Sequence, residues 1–279
     1  MSEDVIFVDS LPRSYNIDDE VEKIVDVIAV RKISTPLWKT IFLGLLAGMF
    51  VSLAGMFMTE MAGGIPLDTR TRFPVISKLI TCLTFPIGIV FIVIFGGELF
   101  TGNSMIMIVG WADKKINVIN LILNWIEVFF SNLFGVVACV YLFAYVTGIF
   151  ESDPQHEFIV SLSEKKINTV WYRLLISAIP ANVLVCLSFY LALSARDISS
   201  KIIGLYLPIA TFAATGWEHV VANMFFLSCG WMYGANVTAV GFLKCMACCA
   251  TGNIIGGALI VGASEYIISH FRNKNEQPI

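Results

Sequence analysis

A carboxylate and an imidazole stand next to each other inside a long apolar run of this sequence. Glu218 and His219 belong to the segment GWEHVVANM, residues 216–224, and hydrophobic residues flank that segment on both sides. An ionisable side chain at membrane depth is energetically costly, so where one occurs it usually marks a pathway or a binding site. The pair therefore predicts a functional site within a membrane-spanning region.

A related element occurs earlier in the chain. The segment GGELFTGNS covers residues 96–104 and aligns with the other element at one constant offset, 216 − 96 = 120. The matched residues are Gly96 with Gly216, Glu98 with Glu218, Gly102 with Ala222, and Asn103 with Asn223. A proline precedes each element, and an asparagine near glycine follows each one in the next apolar segment. Interrupted helices in two corresponding halves indicate a transport site at the interface between the halves.

The composition assigns the chain to the membrane proteins. Of the 279 residues, 57% are hydrophobic and only 14% are charged, and the mean hydropathy is +0.79. These values exclude a soluble globular protein of this size. Cys245, Cys248 and Cys249 have a spacing like that of metal ligands, but no matching His or Cys cluster accompanies them, so we expect no metal and no cofactor. No basic run suggests a nucleic acid partner.

Hydropathy predicts six spans, because roughly 20 apolar residues are needed to cross about 30 Å of hydrocarbon. The predicted spans cover residues 39–61, 76–95, 116–150, 170–195, 202–215 and 237–269. The second and fifth spans break at 96–98 and 216–219 and resume as short helices over 105–112 and 220–228. Residues 99–103 are expected to form a loop that lines a pore. Three spans per half make this an all-α, inverted 3+3 repeat.

The sequence divides into a membrane domain and two polar ends. Residues 1–35 form a polar N-terminal segment, residues 36–270 the six-helix domain, and residues 271–279 a polar tail. Over residues 19–30, Val21, Ile24, Val25 and Ile28 share one helical face, so we expect a helix that lies on the membrane surface or covers a pore mouth. Lys and Arg residues of the short loops favour cytosolic termini, which fit a plasma membrane.

Four motifs, taken together and in this order, resemble the formate/nitrite transporter family. They are ELFT at 98–101, N-x-x-V-C-L at 182–187, E-H-x-x-A-N at 218–223 and G-N-x-x-G at 252–256. The resemblance covers about residues 35–269. It implies an aquaporin-like protomer that assembles as a homopentamer, with one pore in each protomer for small monovalent anions or their acids.

The resemblance also implies roles for individual residues. His219 corresponds to a central pore histidine, and Thr101 to a threonine that can hydrogen-bond to it. The implied constriction residues are Phe85, Leu99 and Phe212, with Phe100 beside the loop, and the implied vestibule residues are Lys166 with Asn182 and Asn253 around it. The resemblance gives no role to Glu127 or Lys244, two charged residues inside predicted spans.

A transport mechanism can be predicted from the two apolar constrictions. Burying an isolated carboxylate in an apolar slot is prohibitive unless it is neutralised, whereas a neutral acid can pass. We expect Lys166 and helix-end dipoles to draw the anion in, and loss of hydration to raise the substrate's pKa. The proton comes from bulk water or transiently from His219. Glu98 and Glu218 are expected to be structural and to accept backbone N–H groups that the breaks leave free.

We therefore expect passive, proton-coupled transport of small monocarboxylates such as formate, acetate or lactate. The sequence leaves nitrite, hydrosulfide and bicarbonate open as alternative substrates of the same fold. An intramembrane enzyme is disfavoured, because the sequence has no HExxH motif, no second carboxylate set and no nucleotide-binding loop. A neutral-solute channel of the aquaporin type is disfavoured as well, because neither break contains an Asn-Pro-Ala motif.

Overall fold

Long apolar helices set the architecture of this protein. The computed structural model describes residue 21 and residues 23–275, and this part of the chain contains helices and no β-strand. In chain order the helices are α1 (24–34), α2 (Leu37–Gly63), α3 (Leu67–Arg72), α4 (Pro74–Phe95), α5 (Phe100–Ala112), α6 (Val118–Tyr145), α7 (Gln155–Asn168), α8 (Trp171–Ser194), α9 (Ile198–Thr215), α10 (Val220–Met232) and α11 (Ala239–His270). Six of them, α2, α4, α6, α8, α9 and α11, are long and apolar enough to cross a membrane, which confirms the predicted spans.

The two halves of the chain repeat the same order of helices. The first half contains α2, the broken pair α4–α5, and α6, and the second contains α8, the broken pair α9–α10, and α11. A shorter helix precedes each half, α1 before the first and α7 before the second. The sequence did not predict α7, although its buried residues Ile159, Ser163, Lys166 and Ile167 have the spacing of an amphipathic helix. The short helix α3 was not predicted either.

A glycine in the left-handed conformation ends the first part of each broken helix. The φ angle is 75° at Gly96 and 73° at Gly216, a region that residues with a Cβ atom rarely adopt. After three residues without regular structure, a new helix begins at Phe100 in the first half and at Val220 in the second. The predicted break at 216–219 is therefore confirmed.

The first loop is shorter than the sequence predicted. Helix α5 begins at Phe100, so most of the expected loop 99–103 is helical. The low helix propensity of Gly102 and Asn103 is overridden by tertiary contacts. The Asn103 side chain donates a hydrogen bond of 2.8 Å to Glu98, and Gly102 lies so close to a phenylalanine ring that an added Cβ would come within 2.6 Å of it.

The apolar face of α1 packs against the protein. Ile24 is fully buried, and with Ile28 it joins a hydrophobic cluster that includes Met105 and Val109 of α5. The predicted start of this helix at residues 19 and 20, like the side chain of Val25, lies outside the described part of the chain. The contacts show that α1 adjoins the short helix of the first broken pair.

Small residues bring the long helices of each half into close contact. A Cβ atom at Gly48 of α2 would overlap the carbonyl oxygen of Asn132 in α6, and one at Gly256 of α11 would overlap that of Ile179 in α8. Helices in a membrane pack through such close backbone approach, because lipid offers no hydrophobic driving force between them. The close packing predicted for the first span is confirmed.

Candidate functional site

His219 and Thr101 meet where the two broken helices approach each other. The Nε2 atom of His219 lies 2.9 Å from Thr101 Oγ1, and both residues are buried. His219 Nδ1 accepts a 3.2 Å hydrogen bond from the backbone N–H of Ala222, which caps the first turn of α10. Because an accepting Nδ1 carries no proton, Nε2 is the protonated atom of the neutral ring and donates to Thr101. An imidazolium would lose the cap.

A small apolar chamber of about 20 Å³ adjoins His219. Leu99 lines it as well, and this residue takes the equivalent position in the first half, 219 − 99 = 120. The remaining lining residues are Val51, Ala54, Phe85, Gly88, Ile89, Ile92, Val185, Ile209 and Phe212. A chamber of this volume holds about one water molecule. A small solute inside it would therefore be stripped of nearly all its hydration.

Phe85 and Phe212 separate this chamber from a larger cavity of about 230 Å³, since both side chains line both spaces. Their ring centroids are 6.0 Å apart in an edge-to-face arrangement. The Phe212 ring also stacks on His219, with centroids 5.7 Å apart. We call the larger cavity the α7 vestibule, because α7 contributes Phe158, Leu162, Lys165 and Lys166 to its wall. The two phenylalanines thus form an apolar boundary between the vestibule and the chamber.

Lys166 lies in the wall of the α7 vestibule as half of a buried ion pair. Its Nζ atom is 2.7 Å from Glu218 Oε2, and the two side chains are only 10% and 12% exposed. Glu218 Oε2 also accepts a 2.7 Å hydrogen bond from Asn223 Nδ2. The Lys166 ammonium group lies 5.2 Å from the centroid of the Phe226 ring. The resemblance placed Lys166 in a vestibule, but sequence reasoning did not foresee that Glu218 neutralises it.

The first half contains a matching ion pair that the sequence reasoning missed. Lys32 Nζ of α1 lies 2.6 Å from Glu98 Oε2, and the side chains are 9% and 14% exposed. A usable signal existed, because each lysine stands five residues before the next long helix, 37 − 32 = 5 and 171 − 166 = 5. Since the two halves are inverted, the pairs lie at opposite ends of the molecule.

The structure corrects the expected partners of Glu98 and Glu218. Their carboxylates bind lysine and asparagine side chains rather than the backbone N–H groups that the breaks leave free. Two asparagines of the long helices satisfy those groups instead. Asn132 Oδ1 accepts from the N–H of Phe100 at 3.0 Å, and Asn253 Oδ1 accepts from that of Val220 at 2.8 Å. An amide suits this position because it can accept at its oxygen while its nitrogen donates to nearby carbonyl groups.

Asn182 and Asn253 connect α8, α11 and the two breaks. Asn182 Nδ2 donates to the carbonyl oxygens of Thr101 and Asn253 at 3.2 Å and 2.6 Å, and both asparagines are fully buried. Their positions are consistent with a supporting role around the pore. The Phe100 ring packs edge-to-face on Phe129 at 5.3 Å, and Phe100 is not among the residues that line the chamber or the α7 vestibule.

The structure explains one of the two charges inside the spans. Lys244 Nζ donates to the carbonyl oxygens of Ile167 and Thr169, at 2.8 Å and 3.0 Å, and so binds the C-terminal end of α7. Glu127 is half-buried on α6, and no contact with another described residue explains its presence. Within the described residues, no group of three or more His, Cys, Asp or Glu side chains is arranged to hold a metal ion.

Comparisons with known proteins agree with this geometry. The family model described as formate/nitrite transporter matches residues 19–267. An uncharacterized transporter of Bacillus subtilis, YrhG, is 33% identical over 93% of this chain and 96% of its own length. A probable formate transporter of Methanothermobacter thermautotrophicus is 34% identical over 89% of this chain and 95% of its own. The formate channel BtFdhC of Bacillus thuringiensis is 32% identical, with 92% and 97% covered.

Solved structures show the same fold. A chain described as an FNT family ion channel superposes with a TM-score of 0.81 and 22% identity, covering 90% of this chain and 98% of its own, which shows the fold alone. A pentameric formate channel with formate bound has a TM-score of 0.71 and 28% identity, covering 83% and 97%. These relatives are transporters and channels and not enzymes. From the match along nearly its whole length, this chain belongs to the formate/nitrite transporter family.

Proposed function

We propose that this protein conducts small monocarboxylates, formate foremost, passively and as neutral acids, so that one proton crosses with each molecule. The observation that carries this proposal is the apolar passage, in which Phe85 and Phe212 precede a chamber whose one polar side chain is His219. The relatives described as formate channels and transporters support formate as the substrate.

Magnitudes favour the neutral acid over the bare anion. An ionised carboxylate moved from water into a low-dielectric slot costs about 20 kcal/mol by an idealised estimate, and still several kcal/mol after relaxation. A carboxylic acid whose pKa is near 4 is neutral in about one molecule per thousand at pH 7, which corresponds to about 4 kcal/mol. Protonation before entry is therefore the easier route, and a chamber of about 20 Å³ leaves no room for a hydration shell that would change this balance.

Bulk water is the proton source that the hydrogen bonds support. Both nitrogens of His219 are engaged in the neutral ring, one as acceptor from Ala222 and one as donor to Thr101. Thr101 is fully buried and does not line the chamber, so His219 is the polar side chain that the passing acid meets. We infer that Thr101 fixes the orientation of the His219 ring beside the chamber, and that the acid brings its proton from the vestibule.

The comparisons support a proposal for the assembly, and the charges of the short loops support one for the orientation. We propose a homopentamer in which every protomer has its own pore, supported by the pentameric formate channel of similar fold. Six spans place both ends of the membrane domain on one side, and the short-loop cations favour the cytosolic side of a plasma membrane. Residues 1–35 and 271–279 would then be cytosolic, with residues 36–270 as the channel domain.

Uptake of labelled acids into proteoliposomes tests this function. Formate, acetate, lactate and nitrite are compared with and without an inward proton gradient, for the wild type and for His219→Asn, and empty liposomes serve as the control. The proposal predicts weak-acid uptake that rises with the gradient and is altered in the variant. Uptake restricted to nitrite, or uptake that does not respond to the gradient, would instead support an anion channel of the same fold.

A further inference from the structure

Lys166 contributes little net charge to the α7 vestibule. Its ammonium group lies 2.7 Å from the Glu218 carboxylate, and both side chains are almost completely enclosed. The fields of two opposite charges at this separation largely cancel at distances several times larger, such as those to the mouth of the vestibule. An anion that approaches from solvent must therefore be attracted by other groups.

Two further lysines stand at the mouth of the α7 vestibule. Lys78 of α4 and Lys165 of α7 are exposed, and they line both the vestibule and an outer cavity of about 340 Å³. The residues shared by the two cavities are Ser77, Lys78, Phe158, Leu162 and Lys165. Because the cavities share this wall, the lysines flank the route from solvent to the boundary formed by Phe85 and Phe212.

Neither of these lysines is neutralised by a residue that the structure describes. Arg70 is the third cation of the outer cavity, but it pairs with Glu157 and lies 5.0 Å above the Phe158 ring. Throughout the described part of the chain, the side chains of Lys78 and Lys165 have no ion-pair or hydrogen-bond partner. Among the described residues, two uncompensated positive charges therefore remain at the mouth, one from α4 and one from α7.

We propose that Lys78 and Lys165 form an outer anion station, which binds a small monovalent carboxylate while it is still hydrated and concentrates it at the α7 vestibule. The inference rests on the proposed function, because it assigns a first binding step to the same substrates. It also gives the two lysines a task that Lys166 cannot perform while Glu218 compensates its charge.

The exposure of the two lysines determines the kind of binding. An exposed ammonium group does not require the anion to release its water, so binding is weak and exchange is fast. Charged clefts raise association rates by roughly 10- to 1000-fold, and salt screens this attraction over about 10 Å at 0.1 M. The station should therefore lower the half-saturation concentration at low salt, whereas the maximal rate is set deeper in the pore.

The test measures initial formate uptake against formate concentration in proteoliposomes at low salt and at about 1 M salt, where the screening length is about 3 Å. We expect the double variant K78Q/K165Q to raise the half-saturation concentration about tenfold at low salt, with an unchanged maximal rate. The difference should fall below about twofold at about 1 M salt. K78R/K165R should behave like the wild type. R173Q is the matched control, because Arg173 is an exposed cation at the start of α8 that lines neither cavity.

Three results would overturn the station: an unchanged half-saturation concentration in K78Q/K165Q, an equal shift in R173Q, or a shift that persists at about 1 M salt. A loss confined to the maximal rate would overturn it as well, since it would place the lysines in the conduction step. Failure of the proposed function looks different, because the wild type itself would then take up no formate, or would take it up without a response to the proton gradient.

Discussion

The hydrogen bonds of His219 restrict what this side chain can do in the pore. Its neutral ring accepts from Ala222 and donates to Thr101, so both nitrogens are occupied without a positive charge. To release a proton to a substrate, the ring would first have to become an imidazolium and give up the cap of α10. His219 is therefore better suited to line the chamber as a neutral ring held by Thr101 than to act as a proton donor.

Thr101→Val tests the contact between these two residues. The variant leaves the buried N–H of His219 without an acceptor, which costs about 1–3 kcal/mol. We expect a lower thermal midpoint of the purified protein and slower formate uptake. Thr101→Ser retains the hydroxyl group and should stay close to the wild type. If the valine variant had the thermal midpoint and the formate uptake of the wild type, the 2.9 Å contact would contribute to neither stability nor transport.

A double-mutant cycle on Lys166 and Glu218 tests the buried ion pair. Removing either partner alone leaves an uncompensated buried charge, so we expect Lys166→Met and Glu218→Gln each to destabilise the protein by about 3–5 kcal/mol. The combined variant should lose clearly less than the sum of the single losses, because the two residues interact directly. The stabilities of the wild type, the two single variants and the double variant are compared by thermal unfolding in detergent. If the loss in the double variant equals the sum of the two single losses, the two residues are not coupled.

At the residue scale, the sequence identified the polar residues that interrupt an apolar segment. Glu218 and His219 stood out as polar groups in an apolar run, and both border the described pore. Lys32 and Lys244 were not assigned, because their partners Glu98 and Ile167 lie 66 and 77 residues away in the sequence. Apart from the equal spacing of Lys32 and Lys166 before the next long helix, a single sequence contains no direct information on which distant segments come into contact.

Helix α7 depends on a tether at its C-terminal end. Lys244 binds the carbonyl oxygens of Ile167 and Thr169, next to the residue that pairs with Glu218. We expect Lys244→Met to loosen this end, to raise the half-saturation concentration for formate and to speed hydrogen exchange in residues 160–169. Lys244→Arg can donate to the same carbonyl groups and should restore both properties. Unchanged exchange in the methionine variant would exclude the tether.

The packing of α1 can be tested with two substitutions on opposite faces. Ile24 is fully buried, whereas Val27 is 53% exposed. Burial of a large aliphatic side chain contributes about 2–5 kcal/mol, so Ile24→Ser should release α1 and weaken the contact between Lys32 and Glu98. Hydrogen exchange over residues 24–34 should become faster in that variant and remain unchanged in Val27→Ser. Similar exchange in both variants would show that α1 is not held by its apolar face.

At the scale of elements, hydropathy predicted the membrane-spanning helices. It did not predict the start of α5 or the helices that do not cross the membrane. The six spans were predictable because length and apolarity follow from the thickness of the bilayer. The start of α5 was not, because the contacts of Gly102 and Asn103 with other helices override local propensity. Helices α3 and α7 were missed because a segment that does not cross the membrane gives no strong hydropathy signal.

For the whole molecule, duplication and inversion produce a pore in which the two halves contribute equivalent structural features. Each half has a helix that ends at a glycine, and a glutamate that binds a lysine and an asparagine. Each half also has an asparagine in its last long helix that accepts a hydrogen bond from the first N–H of the short helix after the break. The halves differ at the equivalent positions 99 and 219, where Leu99 and His219 both line the chamber. A near-symmetric frame with one polar residue in its chamber fits the passive transport that we propose.

Electroneutrality is the most direct test of the neutral-acid mechanism. Formate uptake is measured in proteoliposomes whose membrane potential is set with potassium and valinomycin, at equal pH on both sides. If the acid crosses with its proton, the initial rate should not change over about 100 mV. A formate anion that crosses alone would experience about 2.3 kcal/mol per 100 mV, and its rate would depend strongly on the potential. Such a dependence would contradict the mechanism.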